Sequence, residues 1–405
     1  IRPEGITSSR RYVFTAPAGL ESGHCSMKLA FVLFKYFPYG GLQRDMLRIA
    51  QACQQLGYTI DVYTLSWQGD IPDGFRVTQL PTRGVSNYVR YRRFIRAMQQ
   101  QLAANPVAAV IGFNRMQGLD VYYAADPCFR QAHLEGRPAL LRLLGRYRFF
   151  LQQEQAVFGS ASTTLVLMIS ALQLQYYRQY YGTPDSRIRM LPPGILRDRM
   201  ATPDRDAIRA GFRDEFGLAP EQLLLLSLGS GFTVKGFDRG LVAVAALPDS
   251  LRQRVRVFII GQDKRGPTER LVKRLGLQEN VRFFSGRDDI PRFLQGADLL
   301  LHPARHENTG TVLLEAMVAG LPVLTTATCG YAFHVKDAAA GRVLPVPFRQ
   351  DELNAALEEM LCSNERMAWS ANGIAYGRSQ DLYSLHQHAA DYIDEYVQAK
   401  QTLPR

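Results

Sequence analysis

The sequence predicts an α/β protein of two Rossmann-like domains in tandem, each a mostly parallel sheet covered by helices. Three observations predict it. Short β-branched or aromatic runs alternate with stretches of helical period. The alternation pauses at a Pro- and Gly-rich segment over 191–203 and then begins again. A chain of 405 residues, 46% of them hydrophobic, is ample for two cores.

In chain order, the first series restarts at Met27 with a strand over 28–34, followed by a helix near 42–56, strands over 59–64 and 75–79, a helix over 87–104 and a strand over 107–112. Residues 1–26 read as a vector-derived or unstructured extension, with a basic arm around Ser8-Ser9-Arg10-Arg11 as the alternative. The second series has apolar runs over 223–228, 255–260, 281–284, 299–301 and 322–324. The expected divisions are therefore an extension (1–26), a first domain (27–195), a second domain (196–380) and a closing helical stretch (381–405) long enough to cross back onto the first. Two such domains leave a cleft between them, and ligands of open α/β sheets sit beyond the carboxyl ends of the strands.

Composition narrows the function classes. A formal charge of +11 points to an anionic partner, and leaves nucleic acid, membrane surface and phosphorylated substrate open. No apolar run approaches the roughly 20 residues of a membrane span, and no signal-peptide core is evident in residues 1–26. The five cysteines, at 25, 53, 128, 329 and 362, lack C-x-x-C spacing, as in a reduced cytoplasmic protein. Seven histidines without metal-ligand spacing, and a D-x-D (Asp204-Arg205-Asp206) lying in a Pro-containing linker, give no reason to expect a metal or cofactor.

The most informative stretch is 302–316, the end of an apolar strand, a polar loop and a helix opening near Gly310. Its carboxylates Glu307 and Glu315 stand eight positions apart. If Gly310 and Thr311 open the helix, free N–H groups and the positive end of its dipole favour a diphosphate. Glu315, little more than a turn on, can accept two hydrogen bonds from a ribose diol. Spacing alone equally fits two solvated acids on an amphipathic helix. The segment Gly229-Ser230-Gly231-Phe232-Thr233-Val234-Lys235-Gly236 also follows an apolar strand, but fails the Walker spacing and lacks the third glycine of a dinucleotide fingerprint. A nicotinamide-dependent oxidoreductase, the competing enzyme class, requires that fingerprint. In the first domain, Gly40-Gly41 opens a helix where backbone can approach a ligand closely; alone it is only a turn. Residues 128–158 carry Arg130, Arg137, Arg142, Arg146 and Arg148 among leucines and aromatics, a basic amphipathic segment suited to an anionic bilayer surface. A core-packed helix with a solvated basic face is its alternative. No pattern of nucleic-acid recognition accompanies it or the run 90–96.

These motifs resemble those of retaining glycosyltransferases of the GT-B fold (glycosyltransferase family 4). The E-x7-E pair with Gly320-Leu321-Pro322-Val323-Leu324 carries the likeness in the second half. In the first half, Lys35-Tyr36-Phe37-Pro38-Tyr39-Gly40-Gly41-Leu42-Gln43-Arg44-Asp45 and Gly118-Leu119-Asp120-Val121-Tyr122-Tyr123-Ala124-Ala125-Asp126 are similar to the lipopolysaccharide inner-core enzymes that glycosylate the first heptose in Gram-negative bacteria. The resemblance runs from Met27 nearly to the end, and its roles are expectations. The first domain binds the acceptor and the second a UDP-sugar. Glu307, Lys235 and Asp126 are catalytic. Glu307 holds sugar hydroxyls, Lys235 the departing diphosphate, and Asp126 orients the acceptor hydroxyl or stabilises positive charge at the anomeric carbon. A cap on Cys128-Phe129 is the alternative for Asp126. Front-face attack, in which the leaving phosphate takes the acceptor's proton, asks the protein mainly for charge and orientation. Gly40, Gly41, Arg199, Arg287 (beside the uracil), Tyr123, Glu315 and the run Asn308, Thr309, Gly310, Thr311, Val312 bind the sugar donor; Arg44 and Asp45 face the acceptor. Relatives carry arginine where this chain has Val234, so Arg199 is expected to supply the missing phosphate contact. The resemblance implies an enzyme at the inner face of the inner membrane, with a UDP-sugar, a lipopolysaccharide inner-core acceptor and an anionic membrane surface as partners, and no nucleic acid. A non-catalytic nucleotide-sugar sensor is the third reading. Asn308, Thr309 and Thr311 replace small or apolar residues of the enterobacterial enzymes, which favours UDP-N-acetylhexosamine (GalNAc or GlcNAc) over UDP-glucose.

Overall fold

The computed structural model describes residues 27–38 and 40–402. The extension read for 1–26 lies outside the described residues, as do Tyr39 and the last three positions. The first sheet has seven strands, β1 (Lys28–Val32), β2 (Thr59–Thr64), β3 (Phe75–Gln79), β4 (Ala109–Gly112), β5 (Val121–Ala124), β6 (Leu165–Met168) and β7 (Ile188–Met190), in the order β3-β2-β1-β4-β5-β6-β7. The second has six, β8 (Leu223–Leu228), β9 (Val255–Ile260), β10 (Val281–Phe284), β11 (Leu299–His302), β12 (Val323–Thr326) and β13 (Gly341–Leu344), in the order β10-β9-β8-β11-β12-β13. Every pairing in both sheets is parallel. The strand order turns back beside β1 and β8, so the crevices of the two sheets open at corresponding places.

Helices cover both faces. Leu223-Leu224-Leu225-Leu226-Ser227-Leu228 is buried along its whole length because β8 lies mid-sheet between two helical layers. On one face of the first sheet, Leu29, Phe31 and Leu33 pack against Met46, Ile49 and Cys53 of the first helix (Gly41–Gln55) and against Leu385, Ala389, Ile393 and Val397 of the last helix (Leu385–Thr402). The chain's end thus crosses back onto the first domain, as expected. Tyr58 donates to Asp394, and Tyr396 and Lys400 donate to Asp120 (both 2.9 Å), which fixes its pitch. Ile195 N–H donates to the Leu382 carbonyl at 3.0 Å, so the hinge is bound to the approach of this helix.

Of the boundaries that differ from expectation, two have clear local reasons. β1 stops at Val32 because the Asn114 side chain, not a strand, accepts the Phe34 N–H (2.8 Å). The last helix starts at Leu385 because Asp381 Oδ1 accepts the Tyr383 and Ser384 N–H groups (both 3.1 Å), a turn that competes with helix. The short strands β6, β7 and β13 were not read from the sequence.

Candidate active site

The second domain builds a charged cluster from two loops. After β8 the chain turns through residues 229–236 into the helix Phe237–Ala245. Gly236 has φ 71°, and a Cβ there would stand 2.0 Å from the Pro303 carbonyl oxygen, so only glycine lets this turn lie on the loop after β11. Arg305 fastens the two loops: its N–H donates to the Val234 carbonyl (2.8 Å), and its guanidinium to the Thr233 carbonyl (2.7 Å) and both Asp238 oxygens (2.6 Å each). The contact brings Lys235 Nζ onto Glu307 Oε1, while His302 Nε2 lies 2.6 Å from Glu307 Oε2. Burial by itself pushes the Glu307 carboxyl up, but the hydrogen bond and charge of His302, followed by Lys235, outweigh it and lower it to about 2. Glu307 is therefore a fixed anion with both oxygens engaged. The helix Thr311–Val318 begins beside it at Gly310, whose φ of 89° makes the left-handed entry. A fixed ammonium next to a helix start is a ready diphosphate site.

His302, Glu307 and Cys329 place possible ligand atoms within 4.8 Å of one another, a grouping the sequence spacing hid. The donor set does not fit a metal ion: each Glu307 oxygen already faces a partner, Lys235 or His302, and the Lys235 ammonium opposes a second cation.

A turn further on, Glu315 faces three guanidinium groups. Its carboxyl is raised by burial, with Arg199 and then Arg44 opposing. Arg199 Nε lies 3.9 Å from Glu315 Oε2, and Arg199 Nε and Nη1 are buried without hydrogen-bond partners. Gly41, Arg44, Asp45, Arg48, Thr311 and Glu315 line the same cavity, about 60 Å³, with the hinge residues Gly194 to Leu196. Arg48 was missed in the sequence; its i,i+4 spacing from Arg44 was the available signal.

The first domain contributes the end of β5. Asn308 Nδ2 donates to the Ala125 carbonyl (2.6 Å), placing Asp126 against the second domain's loop. The turn at Asp126 is held from behind: Tyr177 donates to the Asp126 carbonyl (3.0 Å), and Arg115 to the Pro127 carbonyl (2.7 Å). The N–H groups of Cys128 and Phe129 go to Gln173 (2.8 Å) and Glu154 (2.7 Å), so the capping role for Asp126 is not realised. The Asp126 carboxylate makes no hydrogen bond among the described residues. Asp45 is held by Tyr123 Oη (2.8 Å) and His386 Nε2 (3.0 Å), the latter from the last helix.

One predicted contact is corrected, and two other donor positions lie apart from the charged cluster. Tyr123 is fully buried and its hydroxyl is spent on Asp45, so it cannot touch the sugar donor and acts through Asp45. Val312 packs its side chain partly against the second core. Arg287 stands at the end of β10 with its guanidinium on both Asp289 oxygens (2.6 and 2.8 Å), so no contact ties it to the Lys235–Glu307 cluster. It adjoins the glycine turn through Gly286 against Gln262, whose N–H donates to Ser230 (3.3 Å). The remaining predicted positions, Gly40 at the N-cap of the first helix and Thr309 in the loop, lie in the same cleft-facing segments. His302 is the strand-end residue that the sequence suggested, the last of β11, and from there it also positions Glu307; His386 had no local signal.

The segment 128–158 is broken at Gly136 and Pro138. Phe149, Val157 and Phe158 are buried, whereas Leu140, Leu143 and Leu144 are exposed by 75%, 68% and 53% beside Arg142 and Arg146. Glu154 is fully buried on Arg115, leaving the surface with one acid fewer than the sequence implied.

Against known families, residues 209–376 match the model described as Glycosyl transferases group 1, and residues 39–199 the model Glycosyltransferase Family 4. The chain is 44% identical to the lipopolysaccharide glucosyltransferase WaaG of Escherichia coli (strain K12), over 91% of this chain and 98% of that one. The chain belongs to the GT-B glycosyltransferases. The crystal structure of WaaG, a glycosyltransferase involved in lipopolysaccharide biosynthesis, superposes on this glycosyltransferase with a TM-score of 0.85, covering 90% of this chain and 99% of that one. An Anabaena protein, HepE, solved with UDP and glucose, shares the fold at 18% identity (TM-score 0.68; 91% of this chain, 100% of that one). With an enzyme family shown, neither the nicotinamide-dependent nor the non-catalytic reading keeps any support.

Proposed function

We propose that this glycosyltransferase moves a hexose or N-acetylhexosamine, with retention, from a UDP-sugar to an inner-core heptose of lipopolysaccharide. The observation that carries the reading is the Lys235–Glu307–His302 cluster at a helix start, on a loop whose Asn308 reaches the strand end next to Asp126. In this reading Lys235 neutralises the departing diphosphate, Glu307 binds sugar hydroxyls, Glu315 the ribose, and Arg199 with Arg44 and Arg48 adds positive charge. Asp126, its carboxylate free, meets the acceptor hydroxyl or the anomeric carbon, and Asp45 orients the acceptor.

The finer donor choice, UDP-N-acetylhexosamine over UDP-glucose, rests on Asn308, Thr309 and Thr311. A panel of UDP-sugars read by UDP release tests it; consumption of UDP-glucose alone overturns it. Leu140, Leu143 and Leu144 beside the arginines support docking on the inner face of the inner membrane. Vesicle flotation tests this: binding to anionic vesicles is expected to fall when the three leucines become serine, and to weaken with salt.

A further inference from the structure

The donor loop and the strand end that carries Asp126 meet at one bond. Among the described residues, Asn308 Nδ2 to the Ala125 carbonyl is the only hydrogen bond joining residues 27–190 to residues 205–380. The domains touch at this point: a Cβ on Gly330 would stand 2.0 Å from the Asn308 carbonyl oxygen and 3.1 Å from Ser170 Oγ of the first domain.

The bond also fixes the amide. With Nδ2 on a carbonyl, Oδ1 remains as an acceptor, and it is buried without a partner. Of the eleven buried side-chain atoms so placed among the described residues, five belong to this cleft: Arg199 Nε and Nη1, His302 Nδ1, His306 Nε2 and Asn308 Oδ1. A buried polar atom without a partner costs at least what one hydrogen bond gains, so the contact is poised rather than strong. Between Glu315 and the first helix, where the ribose is expected, the cavity is about 60 Å³, far below the roughly 300–1,000 Å³ of small-molecule sites. Seating a nucleotide there widens the gap between the two domains, and that widening works against this one bond.

We infer that Asn308 is the latch of the cleft, a positioning residue that draws the donor loop onto the strand end of Asp126 once the nucleotide sugar is seated. The inference rests on the nucleotide-sugar reading but not on which sugar is carried. It also gives Asn308 a task that small or apolar residues at this position cannot perform.

The test compares wild type with Asn308→Ala and Asn308→Asp; the aspartate keeps the shape but offers no N–H to the Ala125 carbonyl. Calorimetry with UDP, turnover with the consumed UDP-sugar, and small-angle X-ray scattering with and without UDP are measured on each. Wild type is expected to compact on binding UDP. Both variants are expected to bind UDP within twofold of wild type, fail to compact, and lose about tenfold in kcat, the worth of one hydrogen bond. Turnover within twofold of wild type, or compaction as in wild type, overturns the latch. So does a loss of UDP affinity equal to the loss in kcat/KM, which marks a merely structural role. A wild type that does not bind UDP sinks the nucleotide-sugar reading and the latch with it.

Discussion

The two walls of the cleft hold their acids in opposite ways. On the second domain, Glu307 is bound on both oxygens and lowered to about 2, a charge fixed before any ligand arrives. On the first domain the turn around Asp126 is held through backbone, by Tyr177, Arg115 and Gln173, while its carboxylate makes no hydrogen bond among the described residues and only lends its charge to Tyr122 and Arg115. One wall presets electrostatics; the other presets position and leaves the side chain for the substrate. The difference fits a reaction in which the leaving diphosphate needs a ready counter-charge and the acceptor needs aim.

The largest expected effect breaks the presetting wall. Lys235→Ala and Glu307→Ala should each reduce kcat by at least about 100- to 1,000-fold in a protein that circular dichroism shows folded; Glu307→Ala should also lower Tm, because it removes the carboxylate that His302 and Lys235 hold at about 2. Near-wild-type turnover in either variant would remove the cluster from the chemistry.

The second effect inverts the first. Glu154 is fully buried, paired with Arg115 and accepting from the Phe129 and Arg130 N–H groups (2.7 and 3.0 Å) and from Tyr181. Glu154→Ala leaves an arginine and two N–H groups without their anion, and should cost about 3–5 kcal/mol of stability. Denaturant unfolding measures it. A change under about 1 kcal/mol would mean the positional wall is not held from Glu154.

The same contrast explains what could be read from the sequence. The second domain's site was legible because its parts are local: a strand, a loop, a glycine in left-handed backbone and two acids eight apart. Lys235, 72 positions from Glu307, was placed by the family resemblance and not by spacing. The first domain's site was less legible, because its supports come from far along the chain. His386 reaches Asp45 across 341 positions, and Glu154 reaches Phe129 from a helix that reads as solvated. The sheets were legible where strands alternated with helices. β7 and β13 were not, because each carries an arginine within a run of three or four residues; β6 was passed over although its apolar run, Leu165–Met168, is as long as those of β5, β11 and β12.

A smaller effect sharpens the positional wall. His386→Gln loosens one of the two supports on Asp45 while Tyr123 keeps the other. The acceptor KM should rise about 2- to 10-fold, the range of one hydrogen bond, with the sugar-donor KM and the Kd for UDP unchanged. An equal rise in both KM values would assign His386 to the hinge instead, where its ring also packs on Gly194.

The walls should also part company with pH. In the second domain, burial lowers His334 to about 4 from an ordinary 6.5, and Glu307 sits at about 2 against 4.5. Between pH 6.5 and 4 the unfolded histidine takes a proton that the native one refuses, so stability falls on acidification; Glu307 adds the same sign from 4.5 down to 2. In the first domain, burial pushes Cys53 and Cys128 up to about 12 from 9.0, and raises Tyr122, Tyr123 and Tyr177 as well. Those groups stabilise the fold below pH 9 and cease to do so as pH climbs toward 12; the second domain's Cys329 shares this sign. Hydrogen exchange read by domain should therefore show residues 200–380 opening first in acid and residues 27–190 first in alkali. His334→Gln should flatten the loss between pH 6.5 and 4 and leave the alkaline limb unchanged. Equal opening of both domains at both extremes would show that the cleft is too tightly joined for either wall to fail alone.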